Sequence, residues 1–193
     1  LRVILQEAQR TKQIVQNLLS FARQMPPQRQ AVQLNSILSR TIKLRAYDFS
    51  SHGVEIVENF SDDLPEVVGD SHQLQQVFLN IINNAYDAVN ETGRPARIEI
   101  STSAVDGFAE VSFRDNGPGI TNPERIFDPF FTTKEVGKGT GLGLSICYGI
   151  VREHGGEIFC HNREDGPGAI FIVRLPAMSE PATMSASAGV LQG

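Results

Sequence analysis

Asp70-Ser-His-Gln73-Leu74-Gln-Gln76-Val77-Phe78-Leu-Asn80-Ile81-Ile82-Asn83-Asn84-Ala85-Tyr-Asp87-Ala-Val89 is the stretch whose reading decides the fold. Asp70 stands at a helix N-cap position, and Gln73, three residues on, can reach back to it in a capping box. Apolar side chains recur at Leu74, Val77, Phe78, Ile81, Ile82, Ala85 and Val89, the spacing of a helix with one face turned to a core. At about 100° per residue, Gln76, Asn80, Asn83, Asn84 and Asp87 fall together on a different face. That row suits a hydrated magnesium ion, which takes oxygen ligands, keeps several waters and is shared with phosphates. It suits a solvated helix face equally well.

Further along, Ala109, Val111 and Phe113 alternate with polar residues in a strand that ends on an acid, Asp115. Asp115-Asn116-Gly117-Pro118-Gly119 follows, where two glycines let the backbone turn and approach a flat ligand closely. Asp115 can accept a hydrogen bond from an exocyclic amine such as that of adenine; on its own, Asp-Asn-Gly is also an ordinary turn. Residues 116–140 hold few periodic apolar positions and many Gly, Pro and Thr, the composition of a long functional loop. Phe127-Asp128-Pro129-Phe130-Phe131 lies inside it, and its three phenylalanines either pack the loop on the core or form a small satellite cluster. The loop closes on Gly139-Thr140-Gly141-Leu142-Gly143, directly before a periodic helix with Leu144, Ile146, Cys147, Ile150 and Val151 facing inward. Helix N-termini attract phosphate, and Lys134 and Lys138 add positive charge beside this one.

In this order and spacing the segments resemble the N, G1, F and G2 boxes of the histidine kinase catalytic domain. That domain is a branch of the ATPase superfamily that includes gyrase, the heat-shock chaperone of ninety kilodaltons and mismatch-repair proteins. The resemblance covers about residues 32–176, and Thr132-Thr133-Lys134 with Gly137-Lys138-Gly139-Thr140-Gly141-Leu142-Gly143-Leu144 is specific to the kinase branch. It implies an α+β fold, a two-layer α/β sandwich of the Bergerat ATP-binding type, with a mixed, largely antiparallel sheet and helices on one face. It also implies ATP and Mg²⁺ as cofactors. Asn84 then ligates the metal, and Asn80 orients phosphate or metal waters. Asp115 recognises the adenine amine, Gly117 and Gly119 shape the base pocket and lid hinge, and Gly141 and Gly143 offer backbone donors to phosphate. Asp87, Ile120, Phe131, Thr133, Lys134, Lys138, Gly139, Thr140, Leu142 and Leu144 complete the expected nucleotide site, with Asn80 and Lys134 the residues closest to the chemistry. ATP-hydrolysing members place a glutamate at position 80 as general base. Asn80 is a poor base, so the resemblance implies phosphotransfer rather than hydrolysis.

Composition limits the alternatives. A net charge of −5 with no basic cluster argues against duplex nucleic acid as a partner. Cys147 and Cys160 lie at expected buried positions without Cys-x-x-C spacing, which favours packing over metal or redox work. No apolar run is long enough for a membrane span and the start has no signal-peptide pattern, so the expected location is cytoplasmic, with any membrane contact made through upstream segments.

The first 24 residues read as one helix, with Ile4, Ala8, Thr11, Val15, Leu18 and Ala22 spaced alternately by four and three. That is the seam of a coiled coil, or the face of an ordinary amphipathic helix. Met25-Pro26-Pro27 ends it. Ile14-Val-Gln-Asn-Leu18-Leu19-Ser-Phe21-Ala22-Arg23 is similar to the second helix of the kinase dimerisation hairpin. The expected organisation is therefore a partial hairpin over 1–25, a linker over 26–31, the ATP-binding domain over 32–176 and a flexible tail over 177–193. None of His52, His72, His154 or His161 precedes an acidic residue on a helix, so the acceptor histidine is expected upstream of Leu1. The resemblance further implies a homodimer through the complete hairpin and a response-regulator receiver domain as recipient. A non-catalytic nucleotide-binding or dimerisation module that regulates another kinase is the alternative reading; a gyrase-type clamp is disfavoured by Asn80.

Overall fold

The computed structural model describes residues 28–90, 92–134 and 139–178. The expected N-terminal helix, the end of the tail and Lys138 lie outside them. The elements in order are β1 (Gln30–Val32), α1 (Leu34–Ser51), β2 (Glu55–Asn59), β3 (Val67–Gly69), α2 (Ser71–Asn90), β4 (Arg97–Val105), β5 (Phe108–Asp115), α3 (Gly143–Glu153), β6 (Glu157–Asn162) and β7 (Ala169–Pro176).

Five strands form one sheet in the order β2-β4-β5-β7-β6, with β2 parallel to β4 and the other pairs antiparallel. Asp106 and Gly107, both at positive φ (48° and 81°), make the tight turn joining β4 to β5. Alternation decides which face is covered. Ile98, Ile100 and Thr102 on β4, Ala109, Val111, Phe113 and Asp115 on β5, and Ala169, Phe171, Val173 and Leu175 on β7 are buried. The residues between them are less so. The helices pack on that buried face, α2 against β4 and β5, α3 against β6 and β7, and α1 against α2 and β2. This is the expected two-layer, largely antiparallel sandwich with helices on one face.

The α2 stripe is buried at all seven expected positions, from Leu74 to Val89. Each of the larger side chains among them, all but Ala85, contributes about 1.5–3 kcal/mol relative to exposure. Phe78 meets Phe113 with ring centroids 5.8 Å apart, locking the helix onto the centre of the sheet. The polar face of α2 is thereby fixed in direction.

The start of α2 differs from the expected capping box in one respect. Asp70 Oδ1 does accept from the backbone N–H groups of His72 and Gln73, at 2.9 and 3.1 Å. Gln73 does not reach back; its Oε1 is buried without a partner. The Asp70 N–H donates instead to His154 Nε2 at 3.0 Å, while His154 Nδ1 donates to the Ile150 carbonyl at 2.7 Å. A residue 84 positions away supplies the second half of the cap and joins the start of α2 to the end of α3.

A second sheet of two strands pairs β1 with β3, Gln30 opposite Gly69 and Val32 opposite Val67. Gln30 and Ala31, expected within a linker, are thus strand residues. Gln28 N–H is also bonded to Asp70 Oδ2 at 3.0 Å. Pairing with β3 orders these residues, a long-range contact that hydrophobic periodicity does not report.

Candidate functional site

The polar face of α2 gathers the other motifs around it. Asn80 Nδ2 donates to the Gly143 carbonyl at 3.3 Å, at the first residue of α3. About two turns on, Asp87 is ion-paired with Lys134 from the long loop. Next to Asp87, Ala88 lies against Gly117, where an added Cβ would stand 2.9 Å from the Ala88 methyl. Asn84 sits between these contacts, half-buried. The helix therefore touches both ends of the long loop after β5, at Gly117 and Lys134, and the first residue of α3.

Asp115, the last residue of β5, is buried at 3% exposure. Its Oδ1 accepts from Gly117 N–H at 2.8 Å and from Ala169 N–H at 3.2 Å. Burial pushes its carboxyl above the ordinary carboxylate range, against the pull of those two N–H donors and of the nearby Arg163 guanidinium. Asn116 turns the other way, accepting from Arg97 N–H at 2.9 Å and donating to the Pro95 carbonyl at 2.7 Å. The loop then reaches Gly119, at φ +90°, where a Cβ would come 2.8 Å from Asn162 Oδ1. Only glycine combines that conformation with that approach.

The loop ends at the N-terminus of α3, which starts at Gly143. Its N-cap is Leu142, with no side-chain cap. An uncapped first turn leaves backbone donors and the positive end of the helix dipole beside Asn80 of α2. Thr140 Oγ1 accepts from Leu142 N–H at 3.3 Å, and Leu144 packs against the core. Gly141, at φ +66°, accepts a hydrogen bond from Phe130 N–H at 2.9 Å, and a Cβ there would collide with the Phe130 backbone.

The phenylalanines do not form one cluster. Phe127 packs on the core with its ring 5.8 Å from that of Tyr148, and Phe131 lies under the Arg125 guanidinium at 4.7 Å. Phe130 is 75% exposed. Its backbone is turned to φ +66° to meet Gly141, which swings the ring outward. Nearby, Thr133 is exposed, Thr132 Oγ1 accepts from Lys134 N–H at 3.2 Å, and Gly139 returns the chain so closely that a Cβ would come 2.6 Å from Thr132 Oγ1.

The donor set suits a particular kind of cation. Asn80 and Asn84 present hard amide oxygens on one helix face. No group of three or more His, Cys, Asp or Glu that could hold a metal ion occurs among the described residues. Such a face fits a hydrated magnesium ion shared with phosphate oxygens better than an all-protein metal cage.

Side chains outside the expected set also shape this region. Arg163 Nη1 donates to the Asp115 carbonyl at 3.3 Å, and Asn162 makes two hydrogen bonds to the Ile120 backbone. Gly168 allows β7 to pass the end of β5, since a Cβ there would collide with the Asp115 carbonyl. Residues 162–168 read locally as a strand end and a Gly-Pro-Gly turn, and nothing in their own pattern marks them as neighbours of Asp115.

Comparison with known proteins places this arrangement in context. Residues 69–179 match the family described as "Histidine kinase-, DNA gyrase B-, and HSP90-like ATPase". The chain is 34% identical over 177 residues to sensor histidine kinase ZraS of Escherichia coli K12, covering 91% of this chain and 37% of that protein. It therefore spans little more than a third of that relative's length. The solved catalytic domain of histidine kinase ThkA is 33% identical, with a TM-score of 0.69 over 78% of this chain and 98% of that one. ThkA in complex with the response regulator protein TrrA is 28% identical, with a TM-score of 0.74 over 91% of this chain and 50% of that one.

Proposed function

The chain belongs to the histidine kinase-, DNA gyrase B- and HSP90-like ATPases, on their sensor histidine kinase branch, and from that membership we propose that it moves the γ-phosphoryl of ATP to a histidine of its own longer protein. The observation that carries the reading is the convergence on α2, with Asn80 at Gly143, Asp87 at Lys134 and Ala88 at Gly117. An adenine held at Asp115 would have its phosphates directed along that face to the uncapped start of α3.

In this reading Asp115 Oδ2 accepts from the adenine amine while Oδ1 stays bonded to Gly117 and Ala169. Gly117, Gly119 and Ile120 wall the base slot. Backbone N–H groups of the Gly139–Leu144 segment hold phosphate oxygens, and Lys134 exchanges Asp87 for phosphate charge. Thr133, Lys138 and Phe131 belong to the loop that covers the nucleotide. Asn84, with Asn80 beside it, would hold magnesium, which neutralises charge on the phosphates. Asn80 orients and does not abstract a proton, which supports phosphotransfer over hydrolysis. The protein's contribution is then positioning and charge neutralisation.

The same reading assigns residues 1–25 to the second helix of the dimerisation hairpin, 26–31 to the connection, 32–176 to the catalytic domain and 177–193 to a tail. The acceptor histidine lies in the first hairpin helix of the longer protein, which dimerises there and passes phosphate to a response-regulator aspartate. The test is to mix this chain with its hairpin, supplied as a separate protein, and γ-labelled Mg-ATP. Label that is acid-labile and base-stable on the hairpin, and absent with Asn84→Ala, supports the reading. Nucleotide binding with no transfer overturns it in favour of a non-catalytic regulatory module.

A further inference from the structure

We infer that Asn162 is a positioning residue for the base slot. Its side chain clamps the exit of the Asp115–Ile120 loop as a neighbouring strand would. This inference rests on the nucleotide reading above.

Asn162 is the last residue of β6, the edge strand beyond β7. Its backbone pairs with Ala169, and its amide reaches the other way. Oδ1 accepts from Ile120 N–H at 2.6 Å, and Nδ2 donates to the Ile120 carbonyl at 2.9 Å. Both polar groups of one loop residue are thus satisfied by one side chain 42 positions away. A carboxamide supplies one acceptor and one donor in the same plane, matching the peptide edge it faces.

The adjacent residue holds the other end. Arg163 Nη1 donates to the Asp115 carbonyl, and its own N–H donates to the Gly168 carbonyl at 3.0 Å. Two consecutive side chains at the end of β6 therefore anchor residues 115 and 120, and the four residues between them carry both slot glycines. Gly119 lies directly against the Asn162 amide oxygen. Ile120 packs on the core, so a clamp at its backbone fixes the loop where the chain turns toward the longer, irregular segment. A released clamp frees Gly119 to move relative to Asp115, which widens the space that a planar base must fill. The side-chain hydrogen bonds of Asn162 go to Ile120 and not to the phosphate-facing groups on α2 and α3, which are expected to be unaffected.

The test compares wild type, Asn162→Ala and Asn162→Asp in the full chain. Three quantities are measured: affinity for adenosine and Mg-ATP, affinity for magnesium tripolyphosphate, and amide exchange at Ile120 without nucleotide. Asn162→Ala is expected to weaken adenosine and Mg-ATP by about tenfold. It leaves tripolyphosphate unchanged and speeds Ile120 exchange. Asn162→Asp keeps the acceptor but sets an oxygen against the Ile120 carbonyl, so it falls between the two. Unchanged adenosine affinity in Asn162→Ala overturns the inference, as does equal loss of adenosine and tripolyphosphate, which marks a general structural effect. Should Asn162→Ala fail to fold, Asn162→Asp against wild type decides by the same criteria. A wild type that binds neither adenosine nor Mg-ATP overturns the nucleotide reading itself and takes the inference with it.

Discussion

At Asp115 the two carboxylate oxygens have separate tasks. Oδ1 is used within the fold, by Gly117 and Ala169, and in the proposed function Oδ2 is the oxygen that accepts from the adenine amine. Because burial raises this carboxyl's pKa, its ionised form costs stability at neutral pH; that cost disappears as pH falls through the raised value. Asp115→Asn preserves the acceptor at Oδ1 and removes the buried charge. Its thermal midpoint should therefore equal or exceed that of wild type, as a scanning calorimeter would record, even though a donor now faces the adenine amine. The two free cysteines give a second prediction at this scale. Burial pushes the Cys147 thiol up to about 12 and the Cys160 thiol up to about 11. Neither should be alkylated by iodoacetamide at pH 8 in the folded chain, and both should react after denaturation, as mass spectrometry would detect.

Helix α2 shows at the element scale what local pattern conveys and what it omits. Its apolar stripe and the row of Asn80, Asn84 and Asp87 follow from a period of 3.6, so both are legible in the sequence alone. Its cap is half legible. The acceptor role of Asp70 belongs to local chemistry, whereas the acceptor for its N–H comes from His154, the residue that caps the end of α3. Asn162, Arg163 and Gly168 are hidden for the same reason, since they meet Asp115 and Ile120 only after β6 and β7 fold back beside β5. Phe130 departs from the expected packing because a backbone bond to Gly141, not its hydrophobicity, sets its direction. His154→Ala leaves the half-buried Asp70 N–H without its acceptor and should cost about 1–3 kcal/mol in urea denaturation. At Asp70, burial alone would raise the carboxyl, but the N–H groups of Gln73, Gln28 and His72 outweigh it and hold the pKa below its ordinary value. The stability this contributes is present above the ordinary carboxylate value and is lost as pH falls through the lower, folded value. Asp70→Asn should accordingly remove part of the acid limb of a stability-against-pH curve.

Across the whole molecule, the sheet and the helix layer hold the motifs apart in sequence and together in space. Residue 80 meets 143, residue 87 meets 134, and residue 115 meets 169. The sandwich class is legible because strand alternation and helix periodicity are both local. The order β2-β4-β5-β7-β6 is not, because pairing partners are chosen by packing over the full chain. No helix among the described residues is long and apolar enough to cross a membrane. The family relation makes a nucleotide the natural occupant of the site, and the proposed reading puts its base at Asp115 and its phosphates between α2 and α3. The most direct test is a calorimetric titration of Mg-ATP into this chain and into Asp115→Asn. The account predicts saturable binding of one nucleotide per chain in wild type, weakened by roughly tenfold or more in the variant with its fold intact. Absence of binding in wild type, or equal affinity in the two proteins, would contradict it.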